Sequence, residues 1–201
     1  PDDFTLIAPD KPWPRPALIV NEPDLRVVYA PSRYFASEPK ADVSLVLRNP
    51  QVMDSARNQV IFALNDYLAG MALDQLSSQA AVGGIGFSTN ANSGLMVNAN
   101  GYTQRLPQLF QALLEGYFSY TASEEQLAQA KSWYARMLDA ADKGKAYEQA
   151  LQPVQMLSQV PYYPRDERRR LLADITLKEV MAWRDALKSG ARAEFLVVGN
   201  M

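Results

Sequence analysis

The 201-residue chain contains no cysteine and no histidine. Without cysteine it has no disulfide, no thiolate metal ligand and no cysteine nucleophile, and its redox compartment stays open. Without histidine it lacks the usual general base at neutral pH and the commonest zinc ligand. Ser-His-Asp and Cys-His constellations and the histidine-based zinc helix motifs are excluded with it. No apolar run reaches the roughly 20 residues a membrane-spanning helix needs. The chain opens with Pro1-Asp2-Asp3 rather than a basic and then apolar leader. Neither sign of charge dominates: the net charge is −2, which calls for neither nucleic acid nor an anionic membrane as a partner. These absences argue against catalysis by this chain.

What is present describes an ordinary globular protein, 48% hydrophobic and 21% charged. A single domain of this length buries about 70% of the surface its unfolded chain exposes and needs no staples. Six of the 13 prolines fall in residues 1–24, which reads as a Pro-rich linker or strap pinned at Trp13 and Leu18-Ile19-Val20. Residues 25–201 read as one domain. The start at proline and the stop at "VVGNM", just after an apolar run, lead us to expect a piece of a longer protein.

Within the domain, "LRVVYA" (25–30) and "ADVSLVLRNP" (41–50) have strand composition, the second alternating Val43, Leu45, Leu47 against polar neighbours. Asp54 is placed to cap a helix reaching about Leu76, with Ala56, Val60, Leu64, Tyr67, Leu68 and Met71 on one face. The segment "GGIGFSTNANSGLMVNANGYTQRLPQLFQALL" (83–114) then poses a choice between a phosphate-cradling loop and a hairpin. A phosphate loop needs a third glycine and a helix directly after the turn. Here "ANSG" separates two runs of period two, so a β-hairpin is expected.

A helix capped by Thr103 follows, with Leu106, Leu109, Phe110, Leu113, Leu114 and Tyr117 at helical spacing. "SEEQ" (123–126) and "TLKE" (176–179) are capping boxes for two more helices. The first of these turns Leu127, Ala130, Tyr134, Met137, Leu138 and Ala141 inward. Between them we expect a helix over about 146–160, bent near Pro153, and a short one from about Arg165. Met53, Met71, Met137, Met156 and Met181 lie on apolar helix faces and are expected as core filler. "EFLVVGN" (194–200) is a last strand. The order β-β-α-β-β-α-α-α-α-α-β predicts an α+β sandwich: a largely antiparallel sheet with helices packed on one face.

Few residues point to chemistry. Ser88 and Asn90 on one hairpin strand, and Asn98 and Asn100 on the other, alternate with the apolar set and so project away from the helices. Such a row can offer amides to an extended peptide or a sugar, but it is more simply the solvated outer face that any antiparallel sheet shows. Asp166 and Glu167 beside Arg165 and Arg168–Arg170 follow the helix dipole, acids first. Tyr162, Tyr163, Phe118 and Tyr120 read as caps on the core or as walls of a groove. No catalytic or metal-binding residue is identified.

Several phrases in combination resemble a known family. "FASEPKADVSLVLRNP" (35–50), the 83–114 segment and the closing "EFLVVGNM" (194–201) are similar to the middle domain of pitrilysin-type zinc peptidases of the insulin-degrading enzyme class. The resemblance spans nearly the whole chain. It implies a metalloprotease-like two-layer α+β sandwich, one of four related domains that form two hinged halves around a closed chamber. It implies that zinc is bound by another domain through an inverted His-x-x-Glu-His motif, none of whose ligands this histidine-free chain can supply. It implies a third, non-catalytic domain that walls the chamber, with the other domains of the same polypeptide and peptide substrates as partners, in the periplasm. The alternative from another class is a stand-alone peptide-binding or assembly module on the same fold.

Overall fold

The computed structural model describes residues 15–32, 38–52, 54–91, 94–158 and 161–199. The elements are β1 (Ala17–Asn21), β2 (Leu25–Ala30), β3 (Lys40–Arg48), α1 (Ala56–Val82), β4 (Gly86–Ala91), β5 (Leu95–Tyr102), α2 (Leu106–Ser119), α3 (Glu124–Asp142), α4 (Ala146–Ser158), α5 (Arg165–Leu172), α6 (Leu177–Gly190) and β6 (Arg192–Gly199), with a single 3-10 turn at Pro50–Val52. The strands form one sheet in the order β1-β2-β6-β3-β5-β4. Every pairing is antiparallel except β2 with β6. Strand β1 lies inside the proline-rich segment, and Trp13 lies outside the described residues.

Alternation along the strands decides the layers. Val43, Leu45 and Leu47 of β3 and Leu95, Val97 and Ala99 of β5 are buried beneath the helices, while Asp42, Asn98 and Asn100 stay at least partly exposed on the other face. Helix α1 is the hub. It packs against α2, α3, α5, α6 and β4, so Val60, Ile61, Phe62, Leu64 and Leu68 are all buried although they do not form one narrow stripe. Phe62 meets Trp183 of α6 edge-on at 5.5 Å, and the Trp183 indole N–H donates to the Val52 carbonyl at 2.7 Å.

The helix boundaries correct the sequence reading in three places. Ser55, not Asp54, caps α1: its side chain accepts from the Asn58 N–H, while the Asp54 carboxylate takes the Asn58 amide at 3.3 Å. The helix continues past Leu76 to Val82 through Gln79, Ala80 and Ala81, and stops only at the Gly83-Gly84 pair. Thr103 does not cap α2, because its N–H and hydroxyl both reach back to the Pro39 carbonyl; α2 starts at Leu106 with no side-chain cap, its early proline supplying the fixed φ of a first turn. Both expected capping boxes form, at Ser123/Gln126 and Thr176/Glu179.

The methionines also differ from expectation. Met71, Met137 and Met156 are exposed rather than core filler, and Met181 is only partly buried. Helix α2 crosses α1 where Gly116 abuts Leu73, so burial in the distal half of α1 follows Leu73 and Ala80 and leaves Met71 outside. Met53 lies outside the described residues.

Candidate functional site: the open face of the sheet

The hairpin expected from residues 85–102 forms, and its register brings the predicted polar residues together. Ser88 stands opposite Asn98, and Gly86 opposite Asn100. Asn90 holds the position opposite Met96, and its side chain lies outside the described residues. Gly86 has a steric role here: a Cβ on it would fall 2.5 Å from the Asn100 Oδ1, so the missing side chain makes room for that amide. Gly101, at φ +147, lets β5 pass the Gly84 carbonyl, which would lie 2.7 Å from a Cβ.

The row extends further than sequence reasoning reached. Asn98 is paired on its other side with Ser44 of β3, and Asn100 with Asp42. The polar half of the open face is thus Asp42, Ser44, Ser88, Asn98 and Asn100. Beyond β3 the positions level with this row are apolar, Leu196 opposite Ser44 and Val198 opposite Asp42, then Val28 and Ala30 of β2, while Glu194 and Arg26 lie further along the same face. Asp42 and Ser44 were visible as the polar parity of "ADVSLVLR". What could not be seen was that β3, not another strand, is the neighbour of β5.

Strand β4 is the outer edge on this side. The Thr103 N–H to Pro39 carbonyl bond, 2.9 Å, sets the phase of the β3–β5 ladder, so the even-numbered residues Met96, Asn98 and Asn100 bond toward β4. Gly86, Ser88 and Asn90 therefore bond inward, and the backbone N–H and C=O of Phe87 and Thr89 are directed at the outer edge. Among the described residues no further strand lies there. The sequence GFSTNA carries no charge and no proline, the usual guards of an edge.

A second polar group, missed from sequence, is buried under the helices. Asn65 of α1 is fully buried; its amide donates to the Tyr117 hydroxyl at 2.9 Å and accepts from the Tyr120 hydroxyl at 2.8 Å. Asp66 beside it is hydrogen-bonded by Thr89 and by Tyr117, and burial nonetheless holds its carboxyl above the ordinary carboxylate range. Burial likewise pushes both tyrosine hydroxyls up. The Arg184 guanidinium donates to the Tyr120 carbonyl at 2.6 Å and stacks over its ring. An asparagine in an apolar helical stripe was the available signal. The network is satisfied and closed, a structural lock with no vacant donor aimed at a ligand.

The charged cluster on α5 is also structural. Arg169 bridges Asp139 and Asp142 of α3 at 2.9 and 2.8 Å, and Arg165 adds a contact to Asp142 at 3.1 Å, which keeps the Asp142 carboxyl below its ordinary range. The aromatic residues divide: Tyr120 belongs to the buried network, Tyr163 donates its hydroxyl to the Asp54 carbonyl, and Phe118 lines a cavity. That cavity, about 310 Å³, lies between α2, α6 and the sheet, with Leu45, Leu47, Leu114 and Phe195 in its walls. Among the described residues no three His, Cys, Asp or Glu side chains converge as metal ligands. The histidine and cysteine donors of a zinc site are missing from the composition itself, so no step through a metal is derived from this chain.

A six-stranded, mostly antiparallel sheet covered by helices defines a two-layer α+β domain, and among the described residues no cluster of metal ligands stands in it. Residues 1–170 match the middle or third domain of peptidase M16, and the chain belongs to that family: it is the middle domain of a pitrilysin-family peptidase. It is 82% identical over its whole length to Protease 3 of Salmonella typhi and 78% to Protease 3 of Escherichia coli K12, covering 21% of each. It is 23% identical over 131 residues to human insulin-degrading enzyme, covering 13% of it. The crystal structure of pitrilysin superposes with a TM-score of 0.91 at 78% identity, over the whole of this chain and 22% of that one. A peptidase M16 inactive domain from Pseudomonas fluorescens shares the fold at TM-score 0.68 and 15% identity, over 93% of this chain. The chain thus spans about a fifth of the length of its near relatives.

Proposed function

We propose that this domain is a non-catalytic wall of the reaction chamber of a zinc metalloendopeptidase that degrades small peptides. The observation that carries the reading is the open sheet face: a polar row of Asp42, Ser44, Asn98, Asn100 and Ser88, continuous with an unguarded edge strand. Amides and hydroxyls in a row hydrogen-bond peptide backbone without regard to side chains, and the outward N–H and C=O of Phe87 and Thr89 suit an added extended strand. Both features serve a surface that holds many sequences loosely.

The zinc and its hydrolytic chemistry are supplied by another domain in this reading, since no histidine stands here to bind the metal. Periplasmic residence belongs to the same proposal, and cell fractionation followed by immunoblotting checks it. The site itself is tested by Asn98→Ala/Asn100→Ala in the full-length enzyme. The expected result is a KM for a peptide of insulin B-chain size raised roughly 3- to 10-fold, the loss of one or two modest hydrogen bonds, with kcat little changed. Unaltered kcat and KM would remove the open face from substrate binding.

A further inference from the structure

Among the described residues helix α4 has no broad seat on the rest of the domain. The other helices pack on α1, on the sheet or on one another, whereas among the described residues α4 makes no more than fringe contact with any element. Yet it carries the pattern that seats a helix. Leu151, Val154 and Leu157 recur every three residues and share one face, and they are 50%, 56% and 87% exposed. A comparable spacing of three and four residues buries Leu127, Ala130, Tyr134 and Leu138 in α3. An exposed contiguous apolar face of this kind on a soluble domain marks a contact surface.

We propose that this face of α4 is the docking surface for another domain of the same polypeptide. Three observations select that occupant. The chain matches a middle domain and covers only 21% of the relatives it matches end to end, so most of each such polypeptide lies outside the matched region. A tethered domain meets α4 at an effective concentration near millimolar, which suffices for an apolar contact too small to recruit a free partner. The helix carries one charge, Glu148, and no lysine or arginine. That composition disfavours an anionic membrane surface, which selects basic polar faces, and fits an apolar protein surface. The Lys143–Lys145 break, with Gly144 at its centre, separates α4 from α3. The proposal rests on the chain's place within a longer polypeptide and is independent of any substrate role for the open sheet face.

The test uses the full-length polypeptide with Leu157→Cys, and separately Leu151→Cys, each new thiol being the only one within this chain and so located by the peptide that carries it. Maleimide labelling at that position, followed by peptide mass mapping, is compared in the native and urea-unfolded protein. We expect labelling slowed roughly tenfold or more in the native state, unchanged as the protein is diluted. Labelling as fast as in the unfolded chain at both positions would overturn the proposal. Protection that disappears on dilution would overturn it too, replacing the tethered domain with a second copy of the protein. Hydrogen exchange of the α4 amides in the unaltered protein supplies the same comparison without a substitution.

Discussion

Asn65 shows how much one residue can decide. It occupies a position in the buried stripe of α1 where Leu or Ala would serve helix formation as well, and it ties Tyr117 and Tyr120 of the α2 terminus to α1. Loss of its amide would remove the strong acceptor of the Tyr120 hydroxyl and leave the Tyr117 hydroxyl only its bond to Asp66, at a cost of about 1–3 kcal/mol. Its neighbour Asp66 pulls the other way. Its folded-state pKa is raised above the ordinary 3.8, first by burial. A group raised in this way contributes stability that is fully present below its unfolded pKa and lost as pH rises through the folded value. Asp66→Asn keeps an acceptor for Thr89 and Tyr117 and removes the ionisation. We therefore expect the variant's stability relative to the parent chain to rise as pH climbs from about 4 through the folded pKa of Asp66, and to hold its gain above it. Urea unfolding at several pH values checks this, and a difference that stays flat would show that Asp66 ionises without penalty.

At the scale of elements, local chemistry was legible and contacts at a distance were not. The capping boxes of α3 and α6 form because both partners lie within four residues. That of α6 does more than end a helix: the Glu179 carboxylate also takes the Arg57 guanidinium of α1 at 2.6 Å. Arg57 first, and then the Thr176 backbone N–H, hold its pKa below the ordinary value, so its contribution is lost as pH falls through the folded value. The pair is over a third exposed, and screening by water keeps it small. We expect Thr176→Ala to cost about 1 kcal/mol and to speed hydrogen exchange in the first turn of α6 about fivefold. Unchanged exchange would assign the cap to Glu179 and Arg57 alone. The Thr103 cap and the α1 end failed for a different reason. Thr103 met a better partner, Pro39, brought near only by the β3–β5 ladder, and Ala80 is buried where the fading apolar stripe no longer required helix.

For the whole molecule, the missing ligands make a direct prediction. Under the proposed function, chelation of zinc should abolish peptidase activity of the full-length enzyme and leave the thermal unfolding of this chain unmoved, as the described residues hold no cluster of metal ligands. A midpoint lowered by chelator would reveal a site made from other donors.

Composition and periodicity by themselves determined the fold class, the hairpin, most of the helices and the absence of a histidine-based centre. Each of these depends on neighbours in sequence or on residue types simply not present. Only the tertiary structure decided the strand order, the parallel β2–β6 pair, the alignment of Asp42 and Ser44 with Asn98 and Asn100, and the exposure of the α4 face. These are choices between partners far apart in the chain. Alternation says which residues share a face, but not which strand lies beside it; helical spacing marks an apolar stripe, but not whether the body offers it a surface to cover.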